Sequence, residues 1–591
     1  MSKSGWYAHA MPVTVLFAVA LAMVACGTAE PTTTQIAPST SSPTRPPSTT
    51  PTAIVNAPFT IVPTATRPAP TATAGPNASP TPSPVKPKAG GVLRTYETRN
   101  LEGNDFHFVR NSSTWVAMAP LMSWLVAYNE GEGRLYPDIA ESWDISADGL
   151  TYTFHLAKGA TWHDGQPVTA DDVLYNVDRI SGKLDLKDPV YKTTFNPLDT
   201  VEKVDASTVR MKLKQQSAPF LSSLGIIGNM FYPKHVPIDE FKLNRPVGSG
   251  PYKWQSYQPD IQIILKRNSI YWKKDDLGNQ LPYLDGVTIF IIPDATAARA
   301  AFRTAQLDVT FPHASPIVGV RDQVLKDVPG TKIITSYSAR GLQFRNKPPF
   351  DDIRFRKAVH LALDRTAMAN IYDPGESEPF ILYSLPGSKW GLTKDEVKRL
   401  PGYNPDTKAQ DIDEAKKLFA DFLKDHNLTT ATFRPVLTAR DIYKDFAVMA
   451  QDILKRNLGL QLELKVTDSP TTVQLQQAGN FDLYQQGTAP ASSDPSQYLT
   501  PFFYSTSGLN LTGMGDPEID KSLDEMDRTL DVQKRNDIAR SSERKILDTY
   551  WVLITIGDPQ HIAVRPEVRN FNRLLSQDNN SSQFERVWLD K

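Results

Sequence analysis

The chain has 591 residues and a single cysteine, Cys26. One thiol cannot form an internal disulfide, so stability must come from apolar cores, which a chain of this length can build. An excess of either charge is also missing. Sixty-four Lys and Arg face 65 Asp and Glu, a formal net charge of −1. That balance leaves no electrostatic footprint for nucleic acid or an anionic membrane surface. Catalytic signatures are missing as well: there is no G-x-S-x-G elbow, no P-loop and no H-E-x-x-H. Eight of the nine histidines lie between His107 and His561 without metal-ligand spacing, so no metal and no cofactor is expected. No period of 20–50 residues repeats, which excludes a solenoid. Apolar runs are short. Residues 11–25 form one without a charge, and as a helix they would cover about 22 Å, short of the ~30 Å hydrocarbon core.

That run reads as the apolar region of a secretory signal peptide over residues 1–25. It ends in Val24, Ala25, Cys26 and Gly27, a pattern like a bacterial lipobox, which makes Cys26 the expected lipidation site. Met23 stands where that pattern prefers leucine, and Lys3 is the sole Lys or Arg ahead of the run. Residues 28–89 are dominated by Pro, Thr, Ser and Ala and hold 15 of the 47 prolines. Such a stretch cannot bury enough apolar surface to offset its ordering entropy. Residues 26–89 are therefore expected to be a lipid-anchored, disordered, semi-rigid stalk. Fully extended in polyproline form it would reach about 190 Å.

Residues 90–591 carry the patterning of a folded α/β chain of two to four domains. Residues 151–156 alternate, with Tyr152, Phe154 and Leu156 on one face of a strand; Val209, Met211 and Leu213 do the same, as do Leu460, Leu462, Leu464 and Val466. Thr169 and Asp172 form a capping box ahead of Val173, Val177 and Ile180 at helical spacing. Asp516-Pro517 opens a second helix with the stripe Ile519, Leu523, Met526 and Leu530. Two motifs that look catalytic have plainer readings. His163-Asp164-Gly165 reads as a turn, and Gly248-Ser249-Gly250-Pro251 as a tight backbone crossing. Asp171-Asp172 and Asp351-Asp352 read as helix caps.

Several longer segments follow in a fixed order. GGVLR (90–94) opens the folded part. YPDIAESWDISADGLTYTFHLAKGATWHDGQPVTADDVLYNVDRI spans 136–180. RPVGSGPYKWQSY (245–257), RNSIYW (267–272), LPYLDGVTIFIIPDATAARAAFRTAQLDV (281–309), FRNKPPFDDIRFRKAVHLALDR (344–365), FDLYQQGTAPASSDPSQYL (481–499) and VWLDK (587–591) follow. This series resembles the family 5 extracellular solute-binding proteins, the peptide/nickel-type receptors of ABC importers. The resemblance implies a two-lobe, periplasmic-binding-protein-like α/β fold with an extra domain in the N-terminal lobe. Lobe one would comprise residues 90–135, 246–335 and 551–591, the inserted domain 136–245 and lobe two 336–550. A peptide-like or other small polar solute would lie in the inter-lobe cleft and pass to a membrane permease, with no covalent step. The protein would be a monomer on the outer face of the cytoplasmic membrane, touching the membrane through its lipid alone. A ligand sensor or peptide chaperone on the same fold is the alternative to a transport receptor.

The same resemblance points to pocket residues: Trp115, Arg345, Trp390, Gln485, Thr488 and Ser492. Arg345 could pair a ligand carboxylate bidentately. In peptide-binding relatives an aspartate anchors the ligand ammonium by a charge-assisted hydrogen bond. Alignment on Asp494-Pro495-Ser496 puts Ala491 at that position. A buried ammonium would then lose its partner. This favours a neutral polar ligand such as an oligosaccharide as a competitor to a peptide, and a chelated nickel ion is disfavoured by the missing His cluster.

Overall fold

The computed structural model describes residues 86–101, 105–108, 114, 117–129, 134–184, 189, 191–242, 246–310, 319–379, 390–488, 494–507, 509–571 and 582–591. The chain divides into two units, residues 1–83 and 84–591. The expected signal peptide, Cys26 and most of the proline-rich stalk fall in the first unit, outside the described residues. No helix among the described residues is long and apolar enough to cross a membrane.

In chain order the strands of the second unit are β1 (Val92–Glu97), β2 (Val126–Asn129), β3 (Arg134–Pro137), β4 (Ala140–Ile145), β5 (Thr151–Leu156), β6 (Leu198–Asp205), β7 (Thr208–Leu213), β8 (Tyr252–Gln258) and β9 (Gln262–Arg267). They continue with β10 (Gly286–Ile291), β11 (Lys332–Phe344), β12 (Glu378–Pro379), β13 (Val436–Arg440), β14 (Glu463–Thr467), β15 (Leu483–Thr488), β16 (Val552–Val564), β17 (Val568–Arg569) and β18 (Trp588–Leu589). Three sheets dominate, in the orders β1-β10-β9-β8, β4-β5-β7-β6 and β12-β16-β11-β15-β13-β14.

The β4–β7 sheet follows from period-two patterning. In β5, Tyr152, Phe154 and Leu156 are buried, and in β7 Val209, Met211 and Leu213 are buried, so each strand presents one apolar face. The helix Ala170–Ile180 shares their core through Val173, Val177 and Ile180. Its capping box is formed, with the Thr169 amide donating to Asp172 Oδ2 over 2.8 Å. The Pro517–Arg528 helix is capped by Asp516 and buries Ile519, Leu523 and Met526; Leu530 lies beyond its end. The strand expected from Leu460 begins later, at Glu463. Leu460 and Leu462 are core residues of the connection before it.

The two glycines of the 248–251 motif make a backbone crossing. A Cβ on Gly248 would lie 1.8 Å from the Leu121 carbonyl oxygen, and one on Gly250 2.6 Å from the Pro120 oxygen. Backbone cannot yield as a side-chain tip can, so glycine is required at both. His163 fastens this crossing. The Gly248 amide donates to its Nδ1 over 3.1 Å, and its Nε2 donates to the Gly250 carbonyl over 3.1 Å. Burial pushes the imidazole down to about 3, so it is a neutral structural ring at the turn.

β11 and β16 run antiparallel along nearly their whole length, with a register shift between Arg340 and Gly341. All thirteen residues of β16 are buried. Leu553, Ile554 and Ile556 belong to the core of the six-stranded sheet, whereas Ile562 and Val564 belong to the core under β1, β8, β9 and β10. The two strands are thus shared between lobes. β11 runs without interruption through the expected boundary at 335/336, and β16, which starts just after the expected boundary at 550/551, packs its N-terminal half on the core of the six-stranded sheet.

Candidate functional site

β13 pairs in parallel with both β14 and β15, so their carboxyl ends, Arg440, Thr467 and Thr488, share one edge of the lobe-two sheet. β11 runs antiparallel to β15, pairing Ala339 with Thr488 and Phe344 with Leu483. That register brings Ser338 and Arg340 to the same edge. Open crevices at the carboxyl ends of parallel strands are where α/β sheets place ligands.

The edge carries a buried polar cluster. Arg340, 6% exposed, forms an ion pair with Asp558, 2% exposed, on the neighbouring β16. Arg340 Nη1 also donates to Ser338 Oγ over 3.1 Å. Its guanidinium lies 4.2 Å from the ring centroid of Tyr443, which follows β13 in a single helical turn. The Arg440 guanidinium lies 6.0 Å from the same centroid. Gly487, the β15 partner of Arg340, makes the stack possible: a Cβ there would sit 2.4 Å from Arg340 Nη1 and 3.1 Å from the Tyr443 ring. Burial opposes the charge on Arg340, but the Asp558 carboxylate beside it holds its pKa above the ordinary arginine value.

Two further sets of contacts flank this edge. Arg321 on the helix Arg321–Asp327 pairs with Glu376, and Thr335 on β11 hydrogen-bonds His561 on β16 over 2.9 Å. Elsewhere, residues 497 and 527 meet the segment 218–222. Gln497 Nε2 donates to Ser222 Oγ over 3.2 Å, and the Ala218 amide donates to the Asp527 carbonyl over 2.8 Å. The Asp527 side chain accepts from Thr500 Oγ1 over 3.0 Å, and burial pushes its carboxyl up to about 7. Nearby, Asp494 pairs with Arg535 over 3.0 Å.

The residues expected from sequence are dispersed. Gln485 is fully buried in β15 opposite Leu342, and Thr488 ends that strand at the same sheet edge. Trp115, Ala491 and Ser492 lie outside the described residues, as does Cys26. Arg345 is corrected. It follows β11 at the end paired with Leu483, six residues of strand from Ala339 and Thr488, or about 20 Å. Its Nη1 donates to the Leu511 carbonyl over 2.9 Å and its amide to the Asp482 carbonyl over 3.0 Å, so it braces loops at the far end of the lobe. Trp390 is corrected too: it is 3% exposed and packs in the lobe-two core, which leaves no ring face for a ligand. Sequence reasoning missed Arg340, Tyr443 and Asp558. The signal for Asp558 was an Asp-Pro-Gln-His step inside the otherwise apolar run VLITIGDPQHIAV of β16. No group of three or more His, Cys, Asp or Glu among the described residues could hold a metal ion.

Two lobes on shared strands, with a buried polar cluster at one sheet edge, are the arrangement of a solute-binding protein. The chain belongs to the bacterial extracellular solute-binding proteins of family 5, whose middle-segment model matches residues 134–510. Heme-binding protein A of Haemophilus influenzae is 31% identical over 318 residues, which is 49% of this chain and 55% of that protein. A probable di/tripeptide-binding protein 5 of Pseudomonas aeruginosa is 26% identical over 528 residues, 82% of this chain and 94% of its own length. Among solved structures, the ABC transporter-associated periplasmic binding protein DppA of Helicobacter pylori, in complex with the peptide STSA, superposes with a TM-score of 0.72 at 22% identity. That match covers 85% of this chain and 99% of the other.

Proposed function

We propose that this protein is the extracytoplasmic receptor of an ABC importer. It captures a peptide-like or other small polar solute between its lobes and hands it to a membrane permease without a covalent step. The observation that carries this is the buried polar Arg340–Tyr443–Asp558 cluster at the carboxyl-end edge of the six-stranded sheet, in a chain with the two-lobe binding-protein fold. Enclosure between lobes removes a polar solute from water, and charged groups fixed in the wall replace its hydration. Relatives and structural neighbours named for di/tripeptide and peptide binding support the peptide class. Ala491, in place of the ammonium-anchoring aspartate, supports the second reading, an oligosaccharide or another solute without a free ammonium. Cys26, lipidated, would tether the monomeric protein to the outer face of the cytoplasmic membrane, with the proline-rich segment as stalk. The protein would have no enzymatic activity.

The test is mass spectrometry of small molecules released by denaturing the purified protein, followed by titration of each back onto stripped protein. A short peptide or polar solute that rebinds unchanged supports the reading. Conversion of the solute by the protein would replace a receptor with an enzyme.

A further inference from the structure

We propose that the contact between segment 218–222 and residues 497 and 527 is a proton-sensitive latch, which the Asp527 carboxyl lets close while neutral and loosens when ionised. The proposal rests on the receptor reading for its consequence: a solute between the lobes is retained more firmly in acid than above neutrality.

Two hydrogen bonds make the contact. The Ala218 amide donates to the Asp527 main-chain carbonyl over 2.8 Å, and Gln497 Nε2 donates to Ser222 Oγ over 3.2 Å. Close by in sequence, Leu530 lies against the turn at Gly149, where a Cβ would sit 3.2 Å from Leu530 Cδ1. Residues 149 and 218–222 are expected in the inserted domain, and 497, 527 and 530 in lobe two. The Asp527 carboxyl belongs to this seam. Thr500 Oγ1 donates to its Oδ2 over 3.0 Å, while Oδ1 is buried with no hydrogen-bond partner among the described residues. An ionised carboxyl spreads its charge over both oxygens, so a bare buried one is costly. The neutral acid escapes most of that cost.

The charged groups that face Asp527 are Asp494 and Asp524. Asp494 pairs with Arg535 on the helix Val532–Leu547 over 3.0 Å, and Asp524 approaches Arg528 on its own helix at 3.6 Å. Across the seam, residues 215–223 (QQSAPFLSS) have no titratable side chain. Asp148, beside Gly149, is held below the ordinary carboxylate range by the Ser146 hydroxyl. Burial, with the two facing carboxylates adding to it, pushes Asp527 up to about 7. If the sides part, water reaches the carboxyl and it returns toward 3.8. The joined state therefore binds this proton more tightly than the parted one. The contact is strongest near pH 4, weakens as pH rises to about 7, and is level above.

Hydrogen exchange of the full chain, read at single amides by mass spectrometry, tests this without any solute. The Ala218 amide reports the contact, because it donates to the Asp527 carbonyl, and Pro219 after it has no amide. The Leu213 amide, which donates to the Leu150 carbonyl over 2.8 Å, is the reference within the same sheet. Protection of Ala218 relative to Leu213 is expected to be at least about tenfold greater at pH 5.5 than at pH 8. In Asp527→Asn, which keeps the shape without the charge, the two values are expected within about twofold of each other. Asp524→Asn is expected to leave the pH dependence in place. Equal Ala218 protection at both pH values in the parent overturns the proposal. So does an undiminished difference in Asp527→Asn, or loss of the difference in Asp524→Asn. Each of these outcomes leaves the receptor reading standing, since that reading fails by a separate measurement, the rebinding of a released solute.

Discussion

Gln497 and Ser222, 275 residues apart in the chain, meet with Nε2 donating to Oγ over 3.2 Å. Both residues are buried, at 8% exposure each. Breaking a buried hydrogen bond on one side strands its partner, at about 1–3 kcal/mol. The bond joins residues expected to lie in lobe two and in the inserted domain, so its loss falls on the state in which the two touch. Ser222→Ala is expected to speed release of a bound solute roughly fivefold or more, with little change in the melting temperature of the empty protein. Stopped-flow dissociation reads the first and calorimetry the second. An unchanged release rate would mean that this contact does not gate the cleft.

Asp527 gives stability a pH dependence. Its carboxyl titrates near 7 in the folded chain against an ordinary value of 3.8. The folded state therefore holds this proton more tightly than the unfolded chain does. Stability from this group is greatest in acid, falls as pH rises from about 4 to about 7, and is level above. Asp527→Asn removes the penalty. The variant is expected to gain little near pH 4 and up to about 4 kcal/mol above pH 7. Melting curves at pH 5 and pH 8 check this, and an equal gain at both values would refute the assignment.

Trp390 is a core residue, so its loss should be felt by the fold. Trp390→Ala is expected to cost about 3–5 kcal/mol of stability, with solute affinity little changed wherever the variant remains folded. Denaturant titration and binding measured on the same sample separate the two. Intact stability with lost binding would restore the ring-platform role.

The lipid anchor is tested by fractionation. Cys26→Ser is expected to move the protein from the membrane pellet to the soluble fraction, since the lipid is the proposed attachment. Retention in the pellet would show another means of anchoring.

Local chemistry was legible in the sequence wherever a few neighbouring residues decide the outcome. The alternation of β5 and β7, the Thr169–Asp172 capping box, the His163 turn and the Gly248–Gly250 crossing are of this kind. The resemblance supplied the fold. What could not be read locally was register. Arg340 and Arg345 stand five residues apart, and only the pairing of β11 with β15 puts the first at the cleft edge and the second at the far end. β16 is buried along its whole length, so it has no alternation to mark where one lobe ends, and only its partners reveal that it serves both. Asp558 was visible as an acid in an apolar run, but its partner lies 218 residues earlier in the chain.

The central claim, capture of a small polar solute between the lobes, is tested most directly by thermal unfolding of the full chain with and without short peptides and oligosaccharides. A solute at 100 times its dissociation constant adds about 2.7 kcal/mol to the stability of the protein that encloses it. In a chain of this size that is expected to raise the melting temperature by roughly 3–5 °C. A shift of that size with peptides, sugars or both supports the account and names the class. No shift with any of them at millimolar concentration would contradict it.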